Sequence, residues 1–301
     1  MWSRIFTFAV VGFFVSASFV QAAMSSTNFE IRWDTVNTGG SDTGSSTSYQ
    51  LRDSTEAVVG GSASSTTYQL LQGYRSGIDD QILTFEVLAQ NTSSGRAATA
   101  LSGLTVTAST SGLSVNDLIA VVQDIGASQI AAVGRIASLG AGTITVDVWK
   151  NGGTVPTVDG TNDYVYPLTS SSLSLGELAQ TTVTAGIVVF EVTAANDSGY
   201  VVQIVDDGNL RSTVYDINDV SDGSVTAGSE EYGARSSDTT LSASTFDTVD
   251  TSITTSFQDV ATESLASFES RNFVTLKAAM SSSSGNVSYS HIVSLIASGN
   301  F

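Results

Sequence analysis

The chain has 301 residues, enough for one large or two ordinary domains, and contains no cysteine. Its 11 basic and 29 acidic residues give a net charge of −18, which argues against a nucleic-acid partner, because phosphate neutralisation needs clustered Lys and Arg. A single histidine, His291, and the lack of thiols leave zinc and other transition metals without their preferred ligands.

Residues 1–22 read as a secretory leader: Arg4 provides the positive start, an apolar run follows, and Val20-Gln21-Ala22 is a small-residue cleavage site before Ala23. A retained anchor is the competing reading. Cleavage would leave 10 basic against 29 acidic residues, a net −19, and no membrane span is expected in what remains. A cysteine-free exported chain must be stabilised by burial and hydrogen bonding alone, which favours a bacterial-type export route.

The next stretch carries one short pattern three times. Ser25-Ser26-Thr27-Asn28-Phe29-Glu30-Ile31 is followed by Ser45-Ser46-Thr47-Ser48-Tyr49-Gln50-Leu51 and by Ser64-Ser65-Thr66-Thr67-Tyr68-Gln69-Leu70. The aromatic residues are 20 and then 19 positions apart. In the first copy Phe29, Ile31 and Trp33 alternate with Glu30, Arg32 and Asp34, the period-two signature of a strand with one apolar face. Gly39-Gly40 and Gly60-Gly61 suit tight reversals, so three strands joined by Gly-rich turns are expected.

From Gln81 onward the pattern is that of a folded β domain. Residues 83–87 and 104–108 alternate as half-buried strands, and residues 117–123 fit either a short helix or a strand, with the β-branched content favouring strand. Residues 130–136 and 143–149 read as a hairpin, and so do residues 187–193 with 200–205, and 273–279 with 289–297. The polar stretch 236–270, with sparse apolar anchors at Leu241, Phe246, Ile253, Phe257, Val260 and Phe268, reads as a long surface excursion with short strands. The expected fold is all-β: a β-sandwich or jelly roll with an extended N-terminal β-repeat segment and a β-rich insertion. Its expected divisions are a leader (1–22), a repeat segment that could donate a strand (23–79), and a sandwich domain (80–301) with the insertion at about 112–167.

Little in the chain suggests catalysis. No Gly-x-Ser-x-Gly elbow accompanies His291, which reads as an ordinary residue of the last strand, and no enzyme activity or cofactor is expected. Glu230 and Glu231 do not resemble a glycosidase pair, since adjacent strand residues point to opposite faces. Calcium stays open because it takes only oxygen ligands. Its candidate ligands are Asp216, Asn218, Asp219 and Asp222, although their spacing departs from the EF-hand and solvated turns are the competing reading. Tyr164 and Tyr166, with Trp149, could form an aromatic platform for a glycan, against the alternative that they are core residues.

With the repeats, Asn196-Asp197-Ser198-Gly199-Tyr200, Glu230-Glu231-Tyr232-Gly233 and the closing Ala297-Ser298-Gly299-Asn300-Phe301 in view, the chain resembles secreted, acidic, cysteine-free bacterial surface proteins. In architecture it is similar, more distantly, to camelysin/TasA-type fibre subunits, in which a β-sandwich accepts a strand from its neighbour. The leading expectation is a structural subunit of an extracellular cell-surface filament, a homopolymer assembled by strand donation through Phe29, Ile31 and Trp33, because cleavage after Ala22 frees a strand-competent end that an open sheet edge can accept; pairing of that strand with its siblings in the chain's own sheet is the competing reading. The alternative is a monomeric surface adhesin or carbohydrate-binding module that contacts cell-surface glycans through Trp149, Tyr164 and Tyr166.

Overall fold

The computed structural model describes residues 83–196 and 198–300 together with four short strands nearer the N-terminus. The leader and the first repeat, including Phe29, Ile31 and Trp33, lie outside the described residues. The chain divides into two units, Met1–Asp79 and Asp80–Phe301. The described part is all-β, with one 3-10 turn at Thr92–Ser94 and no α-helix. Among the described residues no helix is long and apolar enough to cross a membrane.

In the first unit β1 (Gly40–Ser45) pairs antiparallel with β2 (Gln50–Ser54), and β3 (Gly61–Ser64) with β4 (Gln69–Gln72). The expectation of one strand per repeat is therefore corrected for the second and third copies. Each double glycine leads into a strand of its own, and that strand pairs with the one carrying Gln-Leu of the following copy. A repeat of 19 or 20 residues is long enough for two short strands and a reversal.

The second unit begins with β5 (Leu83–Gln90) and then builds a closed ring. Its strands are β6 (Arg96–Ser102), β7 (Thr105–Ala108), β8 (Leu118–Gln123), β9 (Ile130–Leu139) and β10 (Thr143–Val146). After the short β11 (Lys150–Asn151), which pairs with β9, β12 (Tyr164–Ser170) completes it. The pairing runs β6, β7, β10, β9, β8, β12 and back to β6, where Tyr164 faces Ala97 and Val165 faces Arg96. This six-stranded barrel is filled by Ala98, Val106, Ile119, Ile136, Ile144 and Val165, all fully buried or nearly so. It takes in β6 and β7, and so starts earlier than the insertion expected from residue 112.

β8 resolves the helix-or-strand ambiguity as strand. Ile119 and Val121 point into the barrel, while Leu118, Ala120 and Val122 pack on its outside against Ile187, Val189 and Phe273. A strand buried on both faces loses its alternation and reads as a continuous apolar run.

The remaining strands are β13 (Thr184–Ala194), β14 (Tyr200–Asp206), β15 (Leu210–Arg211), β16 (Asp216–Ile217), β17 (Glu231–Ser236), β18 (Gln258–Glu263), β19 (Ser267–Ala279) and β20 (Val293–Gly299). The barrel strand β12 continues into a sheet ordered β12-β5-β13-β19-β17, and a separate sheet is ordered β18-β14-β20. The two layers share a core of Phe190, Val192, Tyr200, Val202, Ile204 and Val274, with Tyr232, Phe246 and Ile253 around it.

Two expected hairpins are corrected by this arrangement. β13 pairs with β5 and β19, whereas β14 pairs with β18 and β20, so residues 187–193 and 200–205 lie in different layers. Likewise β19 pairs with β13 and β17, and β20 with β14. In each case the two alternating strands face one another across the core, and their apolar sides meet there without a shared ladder. The stretch 236–270 is corrected too: Leu241, Phe246, Ile253 and Val260 are core residues, and only Phe257 and Phe268 are exposed.

Candidate functional site

Along one side the two layers come together at β5 and β20, which approach closely without sharing a ladder. β5 pairs with β13 along its length, but β12 covers its other edge only at Ala89 and Gln90. Residues 83–88 thus present one edge without a ladder partner among the described residues. β20 pairs with β14 alone, so its outer edge is also free among the described residues. Exposed β-edges carry unpaired N–H and C=O groups able to template another strand.

Between these edges lies a groove of about 890 Å³. Val87 and Ala89 of β5 and Val293 and Leu295 of β20 form its rims, and Val188, Val274 and Leu276 form its floor. Residues 171–178, which have no strand structure, cover part of it with Leu173, Leu175 and Leu178. A trough of this size beside two free edges, apolar on its rims and floor and lined elsewhere by Ser170, Ser172, Ser288 and Ser290, can receive an extended segment: side chains at every second position enter the trough and the backbone adds to an edge.

A buried polar group closes one end. The His291 and Tyr232 side chains both line the groove. His291 lies two residues before β20, outside the last strand in which the sequence places it. Its Nδ1 is 3.1 Å from the Gly208 carbonyl oxygen, and its Nε2 is 2.9 Å from the Tyr232 hydroxyl. A carbonyl can only accept, so Nδ1–H donates to Gly208, and in the neutral ring Nε2 accepts from the Tyr232 O–H. The rings meet edge to face at 4.8 Å. An Asp206 carboxylate oxygen is 3.9 Å from Nδ1, and both side chains are almost fully buried. Burial, then the charges of Asp206 and Asp219, raise the Tyr232 hydroxyl well above its ordinary value and keep it a donor. Asp219 is raised as well, first by burial and then by the Asp206 charge, and its buried Oδ1 has no hydrogen-bond partner. Both imidazole nitrogens are engaged, by the Gly208 carbonyl and the Tyr232 hydroxyl, and no serine hydroxyl is bonded to either among the described residues.

The four calcium candidates make separate contacts. Asp216 is exposed on β16, Asn218 donates to Glu230, Asp219 is half-buried, and Asp222 accepts from the Ser224 N–H. Ile217 and Val220 between them are anchored in the interior, which turns neighbouring side chains to different sides. Among the described residues no group of three His, Asp or Glu side chains could hold a metal ion.

Tyr164 and Tyr166 stack with centroids 5.9 Å apart, and Tyr166 is buried between barrel and sheet. Trp149 packs against the barrel interior, a different cluster, with its Nε1 buried and unpartnered. The structure therefore brings two of the three aromatic candidates together and leaves the third apart. Glu230 accepts from Asn218 and Ser284, and Glu231 from the Thr226 N–H.

The groove has no local signature in the sequence. Its only cue is the alternation at Val293, Leu295 and Ala297 of a strand whose apolar face stays half-exposed. Comparison with protein-family models, with curated proteins and with solved structures finds no match to this chain.

Proposed function

We propose that this chain is a structural subunit of an extracellular cell-surface filament, a homopolymer in which residues 28–34 of one copy enter the groove of the next. The observation that carries this reading is the apolar groove flanked by the unpaired edges of β5 and β20. On this reading the two layers form an incomplete β-sandwich that a donated strand completes.

The proposed occupant suits the groove in pattern. Phe29, Ile31 and Trp33 recur with the same period as Val293, Leu295 and Ala297. Removal of a leader after Ala22 would place this segment close to a free end, where it can reach a neighbour.

Negative-stain imaging and size-exclusion chromatography of residues 23–301, with and without residues 23–34, test the reading. Regular fibres from the longer chain and a folded, non-polymerising shorter chain are expected. Fibres from the shorter chain, or a longer chain that stays monomeric and binds glycans, would overturn it.

A further inference from the structure

Residues 171–178 have an organisation that the barrel and the sheets do not account for. Leu173 and Leu175 are half-buried, whereas Ser172, Ser174 and Gly176 around them are exposed, a strand-like alternation. Yet these residues form no strand, and none of their backbone groups bonds to the backbone of β5, β20 or any other described strand. Their polar contacts are local: the Ser172 N–H donates to Ser170 Oγ, Ser170 Oγ donates to the Ser172 carbonyl, and the Gly176 N–H donates to Ser174 Oγ.

The segment is thus held on the groove by its leucines. Leu173 has a prepared seat at Gly186 of β13, where a Cβ would stand 2.7 Å from Leu173 Cδ1 and 2.9 Å from Cδ2. A peptide with apolar contacts but no ladder is a weaker occupant than a strand of the same length that makes both.

We propose that residues 171–178 are a displaceable strap: in the free subunit Leu173 and Leu175 cover the acceptor groove, and the N-terminal segment of a second copy takes their place during assembly. This rests on the strand-donation reading and adds to it a barrier that is built into each subunit. The strap masks apolar surface while the subunit is alone, and its lack of a ladder lets an incoming strand win by adding backbone hydrogen bonds. Its leucines release the groove without breaking any strand pairing of the fold.

The test uses residues 23–301 and a synthetic peptide of residues 25–34 as competitor, reading the peptide concentration that halves fibre formation. Two variants loosen the strap by different routes: Leu173→Ser with Leu175→Ser weakens its hold, and Gly186→Ala pushes Leu173 from its seat. Both are expected to shorten the assembly lag about tenfold, and thermal melts confirm that each is folded. If the peptide blocks wild-type assembly but neither folded variant changes the lag, the strap is overturned and strand donation stands. If the wild-type chain polymerises and excess peptide has no effect on it, strand donation fails and the strap fails with it.

Discussion

The guanidinium of Arg271 on β19 holds the carboxylate of Asp147, just past the barrel strand β10, in a two-pronged pair with N–O distances of 2.7 and 2.6 Å. The same guanidinium donates through Nε to Glu191 on β13 at 2.6 Å, and Glu191 accepts in turn from Arg135 of β9 at 2.8 Å. Two arginines and two carboxylates thereby tie the barrel to the sheet that forms the groove floor. The planar fork of arginine is what permits one side chain to serve both carboxylates.

Replacing Arg271 by Met is expected to cost on the order of 3 kcal/mol, because Arg271 is buried and its loss leaves Glu191 only partly compensated. Chemical denaturation measures this. Acid provides an independent check through Asp147. Burial alone would raise its carboxyl, but the bonds from Arg271 and from the Val148 and Arg135 N–H groups outweigh burial and hold it below the ordinary carboxylate value. A depressed folded value means that the contribution is present above about pH 4 and is lost as pH falls through the folded value. Asp147→Asn should flatten that acid limb in thermal melts.

Alkaline stability should follow the buried tyrosines. Burial, then the neighbouring Tyr164, pushes Tyr166 up to about 12. Tyr200 and Tyr232 are also raised, chiefly by burial. Raised folded values stabilise the fold fully below about pH 10, and the contribution falls as pH climbs from there toward the folded values. A phenolate absorbance titration is expected to show a late phase coincident with unfolding. Complete ionisation near pH 10 before any loss of structure would contradict this.

Gly199 sits where the chain passes from one layer to the other, with φ of +73°. A Cβ there would lie 2.0 Å from the Glu263 carbonyl oxygen and 2.5 Å from its carbon, both backbone atoms that cannot swing aside. Gly199→Ala should therefore destabilise by roughly 3 kcal/mol or more, or prevent folding. Wild-type stability in a urea titration would show that the crossing is looser than described.

Val87 lies on the groove rim and is 37% exposed. Val87→Asp keeps its charge in water in the free subunit, so the stability change should stay within about 1 kcal/mol. Covering that carboxylate with a donated apolar strand would strip its water, and fibre formation should be lost. A folded variant that still forms fibres in negative stain would place the acceptor elsewhere.

The sequence alone determined that this domain is built of strands, because period-two alternation at stretches such as Leu83-Thr84-Phe85 or Ile144-Thr145-Val146 needs only local geometry to be read. It also singled out Phe29, Ile31 and Trp33 as a strand-competent set. Partnership was decided by the tertiary structure. Alternation reports that one face is buried, but Phe190 and Tyr200 would show the same pattern whether their strands shared a ladder or faced each other across a core, as they do. The double burial that hid the period of β8, the ring that closes at Tyr164, and the core positions of Phe246 and Ile253 depend likewise on residues distant in the chain. The groove is the extreme case: the alternation at Val293, Leu295 and Ala297 marks β20 as a strand, but that β20 and β5 lack a ladder neighbour on one side is not written in that pattern.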